Sequence, residues 1–219
     1  MKHNAVVHEE EAIIPVGKGG IVGNLGTPSD AKAMIIFAHG SGSGRFSPRN
    51  RAVAHTLQES HLATLLVDLL TEDEQRVDEM TAEFRFDIAL LSTRLIAAMD
   101  WAAVQDQTAS LRIGIFGAST GASAALMAAA ARPEGVYAIV SRGGRTDLAA
   151  DRISQVQAPV LMIVGGEDRI ILDINQITAA ALQVEHKIEV VPGATHLFEE
   201  PGALERAAEL TVGWFVSHL

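Results

Sequence analysis

The chain has 219 residues, of which 48% are hydrophobic, enough for one sizeable domain with a packed core. Its formal net charge of −10 disfavours nucleic acid and anionic membranes as partners, and the absence of cysteine excludes disulfides, thiol nucleophiles and thiolate metal sites. No apolar run reaches the ~18 residues that span a bilayer, and the N-terminus lacks the apolar segment of a signal peptide. We therefore expect a cytoplasmic protein that does not act on a membrane.

Apolar runs and turn residues predict a hairpin followed by alternating strands and helices. Residues 5–16 and 21–25 are predicted to pair across a glycine-rich turn. Further strands are predicted over residues 33–38, 62–67, 111–117, 136–140, 159–164 and 187–191. Helices are predicted over residues 48–60, 86–104, 120–131, 172–183 and 203–218, and residues 71–80 form a loop or a short helix. This order indicates one α/β domain over residues 1–219, with a mostly parallel sheet and helices on both faces.

The segment Gly117-Ala118-Ser119-Thr120-Gly121 lies between a predicted strand and a predicted helix of small residues. That context is typical of a nucleophile elbow, a strained turn that exposes one side chain, here Ser119. Composition alone would produce the G-x-S-x-G pattern about 0.09 times in a chain like this. The alternative is a plain glycine turn in which Ser119 caps the helix.

Two later loops supply an acid and a base. In such sheets, functional residues follow the carboxyl ends of the strands, where Asp168 and His196 are expected. The order Ser119, Asp168, His196 is that of the α/β-hydrolase fold. His196 would accept the proton of Ser119 as its hydroxyl attacks a carbonyl, and Asp168 would orient the imidazole.

Other residues compete for these roles. Asp173 is the alternative acid, whereas His39 is predicted to have a structural hydrogen-bonding role. The remaining competitors for the base are His3, His8, His55, His61, His186 and His218. Only His196 follows the last predicted strand and precedes the last predicted helix.

An oxyanion hole needs backbone donors beside the nucleophile. The N–H of Thr120, the residue after Ser119, is the first predicted donor. The second comes from the loop after the strand at 33–38, where we assign the N–H of Ser41, with Gly42 as the second choice.

Arginines cluster on the predicted rim of the site. Six of the 13 lie there: Arg45, Arg49, Arg51, Arg142, Arg145 and Arg169. One or two of them could bind a substrate carboxylate or phosphate, for which Arg142 is the first candidate and Arg45 and the adjacent Phe46 are further candidates. The alternative is that these arginines pair with rim acids such as Asp68 and Asp147.

Four motifs together resemble the dienelactone hydrolase branch of the α/β hydrolases. They are His-Gly-Ser-Gly-Ser-Gly at 39–44, Gly-Ala-Ser-Thr-Gly at 117–121, Gly-Gly-Glu-Asp at 165–168 and Gly-Ala-Thr-His-Leu-Phe at 193–198. The resemblance implies hydrolysis of a carboxylic ester or lactone without a cofactor. Dienelactone hydrolases proper carry cysteine at the elbow, so Ser119 favours a general serine esterase. Residues 141–158, where many relatives insert a cap domain, are too few to form one.

The expected partner is thus a small-molecule ester or lactone, possibly anionic, with no bound metal. Two other functions stay open: an acyltransferase or perhydrolase that uses the same three residues, and a non-catalytic small-molecule receptor. The sequence does not determine the oligomeric state.

Overall fold

A single eight-stranded sheet forms the centre of the protein, in a computed structural model that describes residues 6–219. The strands are β1 (Val7–Val16), β2 (Gly19–Pro28), β3 (Ala33–Ala38), β4 (Leu62–Val67), β5 (Arg112–Ala118), β6 (Ala138–Arg142), β7 (Val160–Gly165) and β8 (His186–Val191). Their order across the sheet is β1-β2-β4-β3-β5-β6-β7-β8. β1 pairs antiparallel with β2 and β2 with β4, and the other neighbouring strands are parallel. The predicted hairpin and mostly parallel sheet are confirmed, although residue 5 of the first predicted strand lies outside the described residues.

Within the described residues, six α-helices connect and cover these strands. They are α1 (Pro48–Glu59), α2 (Glu72–Thr81), α3 (Ile88–Ala102), α4 (Thr120–Ala131), α5 (Arg169–Ala181) and α6 (Ala203–Ser217). The segment predicted as a loop or a short helix is the helix α2. It forms because Thr71 caps it in a reciprocal pair of hydrogen bonds with Glu74.

The core lies on both faces of the sheet, because β-strand side chains alternate between faces. In β3, alternate residues contact the two cores: Met34, Ile36 and Ala38 the first, and Ala33, Ile35 and Phe37 the second. The first core also contains buried residues of α3 and α4, and the second contains those of α1 and α6. Helices therefore cover both faces, as predicted.

Two predicted boundaries differ from the structure near the site. β6 continues to Arg142, two residues past its predicted end, because Arg142 still pairs with Ala118 of β5 and Ile163 of β7. α5 begins at Arg169, directly after Asp168, rather than at residue 172. Between β6 and β7 the chain forms only two short 3-10 helices, Thr146–Ala149 and Ile153–Gln155, and no cap domain.

Within residues 6–219, every helix is too short or too polar to span a bilayer.

Candidate active site

Ser119 occupies a strained turn between β5 and α4. Its φ of 50° and ψ of −120° are uncommon for a residue with a side chain. Its N–H donates to the carbonyl of Arg142 at 3.1 Å, and its own carbonyl accepts the N–H of Arg145 at 3.0 Å. The loop after β6 thus holds the elbow in place. The Ser119 side chain makes no capping bond to α4, which argues against the plain N-cap alternative.

Two glycines of the motif allow the backbone to approach closely at this turn. A Cβ on Gly121 would lie 2.1 Å from the carbonyl oxygen of Ala38, at the end of β3. A Cβ on Gly117 would lie 2.5 Å from the Cα of Ala122 in α4. Real Cβ atoms do not approach backbone this closely, so the elbow geometry requires glycine at both positions.

The structure brings the predicted base and acid to Ser119. His196, in the loop after β8, places Nε2 at 3.3 Å from Ser119 Oγ and Nδ1 at 2.6 Å from Asp168 Oδ2. Asp168 precedes α5 but makes no capping bond, so its carboxylate is available to His196. In the tautomer that carries its proton on Nδ1, the ring donates a hydrogen bond to Asp168, and Nε2 can accept one from the Ser119 hydroxyl. The alternative acid Asp173 is exposed on α5, and the competing His3 lies outside the described residues.

The predicted oxyanion donors need one correction. The N–H of Ser41 donates to Thr120 Oγ1 at 2.9 Å, so it is already occupied in this conformation. The Thr120 side chain extends back across the elbow, so its hydroxyl accepts this N–H. The N–H of Gly42, the second choice, makes no hydrogen bond within the described part of the chain. Thr120 is the first residue of α4, where a backbone N–H has no partner inside the helix.

A cavity of about 210 Å³ opens beside Ser119 and His196. Arg142 from β6, and Arg49 with Asn50 from the first turn of α1, form part of its wall. A larger cavity of about 660 Å³ lies between the β1–β2 hairpin and α1, and none of the predicted site residues lines it. The smaller cavity is the candidate site because Ser119 and His196 line it.

Three of the rim arginines, Arg45, Arg49 and Arg145, follow the ion-pair alternative and pair with carboxylates. The Arg45 guanidinium binds Glu11 at 2.8 Å, Asp68 at 3.0 Å and Asn24 at 2.7 Å. Its partners satisfy Arg45, so the prediction that it binds substrate is corrected to a structural role. Phe46 lies beside the same guanidinium, 61% exposed and outside the wall of the 210 Å³ cavity, so it is also removed from the substrate-binding candidates.

Arg145 follows the same alternative and binds both oxygens of Asp147, at 2.9 and 2.8 Å.

Arg142 differs from these arginines because no carboxylate binds it within residues 6–219. Its side chain is only 7% exposed, and its Nε and Nη1 atoms are buried without a hydrogen-bond partner. The guanidinium lies 5.9 Å from the ring centre of Phe116 and 5.7 Å from that of Phe198. Burial, and secondarily the like charge of Arg49, lowers the pKa of Arg142 to about 10, so the group stays cationic at neutral pH.

His39 has the structural role that its position predicted. Its Nδ1 donates to the carbonyl of Gly40 at 3.0 Å, and its Nε2 accepts the N–H of Leu69 at 3.2 Å. A neutral ring satisfies both bonds, and it connects the start of the loop after β3 to the segment after β4.

We expect this histidine to make stability fall on mild acidification. Burial lowers the pKa of His39 below its ordinary value of 6.5, so the unfolded chain binds this proton more readily than the folded protein. The contribution of neutral His39 to the free energy of unfolding is complete above the pKa that His39 has in the unfolded chain. It is lost as the pH falls below that value. Urea unfolding of wild type and His39→Asn between about pH 7.5 and about pH 5.5 measures how steeply the free energy of unfolding falls with pH. We expect a shallower fall in the variant. Equal slopes would contradict the assignment.

Among residues 6–219, no group of three or more histidine, aspartate or glutamate side chains is arranged to hold a metal ion.

Comparisons with known proteins agree with this architecture. The family model described as "Dienelactone hydrolase family" matches residues 22–217. A crystal structure of a dienelactone hydrolase from Anabaena variabilis superimposes with a TM-score of 0.95, at 49% identity, over 97% of this chain and 99% of that one. The Est1E protein of Butyrivibrio proteoclasticus shares the fold at 17% identity, with a TM-score of 0.80 over 95% of this chain and 98% of its own.

A Mycobacterium tuberculosis protein provisionally named a phosphoribosyl transferase is 50% identical over 213 residues. That match covers 97% of this chain but 47% of the relative, so the chain spans about half the length of the curated relatives it matches. The family model, by contrast, covers most of the chain, including the strained serine and the loops that carry Asp168 and His196. The chain belongs to the dienelactone hydrolase family.

Proposed function

We propose that the protein is a serine hydrolase that cleaves a carboxylic ester or lactone of a small molecule through an acyl-enzyme on Ser119. The observation that carries the proposal is the continuous arrangement of Ser119 Oγ, the His196 ring and the Asp168 carboxylate. Family membership supports the class of reaction. The nucleophile and the ester substrate are our inference from the side chains.

Acylation would begin when Ser119 Oγ attacks the carbonyl carbon and His196 Nε2 takes the hydroxyl proton. Asp168 stabilises the imidazolium that forms. The carbonyl oxygen becomes an oxyanion, for which we assign the N–H groups of Thr120 and Gly42 as donors. Each such donor lowers the barrier by about 3 kcal/mol. His196 then returns the proton to the departing alcohol oxygen as the carbon–oxygen bond breaks.

Deacylation would repeat these steps with water. His196 removes a proton from the water molecule as its oxygen attacks the acyl carbon, and Ser119 leaves after it regains a proton from the imidazolium. The products are the free acid and the unmodified enzyme, so no cofactor is required.

The mycobacterial relative's provisional name does not change this proposal. That name describes a protein of which this chain matches 47%. A serine nucleophile beside a histidine base is an arrangement that serves acyl transfer, which is why we propose that chemistry.

Product analysis distinguishes the hydrolase from its closest alternatives. Purified protein is incubated with para-nitrophenyl butyrate, alone and with added methanol or hydrogen peroxide, and the acyl products are quantified. The hydrolase proposal predicts butyric acid as the main product in every case. A main product of methyl butyrate or perbutyric acid would favour the acyltransferase or perhydrolase. Absence of turnover on any ester by folded protein would favour the receptor.

A further inference from the structure

Arg142 is a buried cation beside the reactive serine. An unpaired guanidinium inside a protein loses its hydration, a cost that is normally offset by an anion or by hydrogen bonds. The aromatic faces of Phe116 and Phe198 offset part of this cost, but the Nε and Nη1 atoms have no acceptor. Because the side chain also lines the 210 Å³ cavity, a negatively charged group in that cavity would lie next to it.

The N-terminus of α1 faces the same cavity. Ser47 caps this 12-residue helix, and Ser47, Arg49 and Asn50 all line the cavity. A helix N-terminus carries a partial positive charge that suits an anion. In this first turn Pro48 has no N–H and the N–H of Asn50 donates to Ser47 Oγ, which leaves the N–H of Arg49. The first turn of α1 contains no acidic residue that would neutralise it.

Arg49 brings a second guanidinium to this wall. One of its nitrogens binds Glu199 at 2.9 Å, while its buried Nε atom has no partner within residues 6–219. Arg49 also lies close enough to Arg142 for the like charges to lower the pKa of Arg142. An anion between the two arginines would relieve this repulsion.

We propose that this cavity binds a phosphate group of the substrate between Arg142 and the N-terminus of α1, so that the enzyme cleaves an ester or lactone bearing a phosphate. This inference rests on the proposed function and specifies its substrate. The phosphate is a binding group and takes no part in the bond changes at Ser119. Because the cavity holds only about 210 Å³, the phosphate and the scissile carbonyl are separated by a few bonds.

The arrangement of donors favours phosphate over carboxylate. The donors come from two elements, β6 and the first turn of α1, rather than from one guanidinium edge. A planar carboxylate pairs fully with one guanidinium. A tetrahedral phosphate presents three oxygens in different directions and can accept from both elements.

The test compares three esters that share para-nitrophenol and differ in the acyl group. The pentanoyl ester has a neutral acyl group. The glutaric half ester carries a free carboxylate at the end of its acyl group, and the phosphonobutyryl ester carries a phosphonate there. We expect wild-type kcat/KM for the phosphonate ester to exceed that for the neutral ester by about ten- to a hundredfold, the range of a charge-assisted hydrogen bond. Arg142→Gln and Arg49→Gln should each reduce this ratio by at least about tenfold.

Arg145→Gln is the matched control, because Arg145 lies on the rim but is paired with Asp147. This variant should keep the wild-type ratio. If Arg145→Gln lowered the ratio of the two kcat/KM values as much as Arg142→Gln, the preference would be an effect of net charge. The proposed phosphate site would then be wrong. If Arg142→Gln does not fold, inhibition of wild type by inorganic phosphate decides: phosphate should compete with the neutral ester, and acetate at equal ionic strength should not.

Failure of this inference can be distinguished from failure of the proposed function. If the neutral ester is hydrolysed, but the phosphonate ester has no advantage and phosphate does not inhibit, the phosphate site is wrong and the hydrolase stands. A preference for the glutarate half ester over the phosphonate ester would overturn the assignment to phosphate. If no ester is hydrolysed and inorganic phosphate does not stabilise the protein in a thermal shift, both fail.

Discussion

Replacement of Ser119 by alanine is expected to lower kcat for ester hydrolysis by about four to six orders of magnitude. The change removes the oxygen that forms the acyl-enzyme. Ser119 Oγ contacts His196 and makes no helix-capping bond, so the free energy of unfolding should change by less than about 1 kcal/mol. Steady-state kinetics with para-nitrophenyl butyrate and urea unfolding measure the two effects.

Ser92→Ala is the control for loss of a serine hydroxyl, because Ser92 is buried in α3, away from the cavity. We expect its kcat to remain within about twofold of wild type. If Ser119→Ala retained more than about a tenth of the wild-type kcat while folded, Ser119 would not be the nucleophile.

Replacement of Gly121 by alanine is expected to destabilise the protein by about 3 kcal/mol or more. The new Cβ would lie 2.1 Å from the carbonyl oxygen of Ala38 and 2.6 Å from that of His39. Both atoms are backbone and cannot rotate away, so α4 would have to move relative to β3. That movement would also displace Ser119 and Thr120, and a misplacement of about 1 Å costs about a hundredfold in rate.

Gly213→Ala provides the control for a glycine inside a helix. A Cβ at Gly213 in α6 meets no atom within 4 Å. This substitution should therefore stabilise the protein by up to about 1 kcal/mol, the helix propensity difference. Urea unfolding of both variants compares them directly. A Gly121→Ala protein as stable and active as wild type would contradict the close approach of α4 to β3.

The sequence was most informative where a residue's place along the chain determines its place in space. Parallel strands carry their following loops to one edge of the sheet, so the loops bearing Ser119, Asp168 and His196 had to meet there. The sequence also predicted the elbow, because its glycines mark positions where two backbone segments lie too close together for a side chain. The order of elements therefore predicted the fold and the grouping of these three side chains.

The sequence did not predict which of several nearby partners a polar side chain binds. Arg45 lies in the loop after β3 and Arg142 is the last residue of β6. Arg45 binds Glu11 and Asp68, whereas no carboxylate binds Arg142 within the described range. The difference depends on the register of β1, which places Glu11 opposite Asn24 and within reach of Arg45. The Thr120 hydroxyl also occupies the N–H of Ser41, 79 residues away in sequence, a contact that no local pattern indicates.

Only the three-dimensional structure shows that Arg49 and Asn50 line the cavity beside Ser119. The Ser47-Pro48 pair correctly predicted the start of α1 and so placed both residues in its first turn. What the sequence did not indicate is that this turn faces the end of β6, where Arg142 lies. Tertiary packing of α1 against the sheet decides that direction.

Covalent labelling tests whether His196 and Asp168 activate Ser119 as a nucleophile. Folded protein is treated with a neutral fluorophosphonate probe, digested and mapped by mass spectrometry. We predict one adduct on the peptide that contains Ser119, abolished by Ser119→Ala and slowed at least about a hundredfold by His196→Ala. Folded protein without an adduct on Ser119, or with labelling that is independent of His196, would show that His196 does not activate Ser119 as a nucleophile.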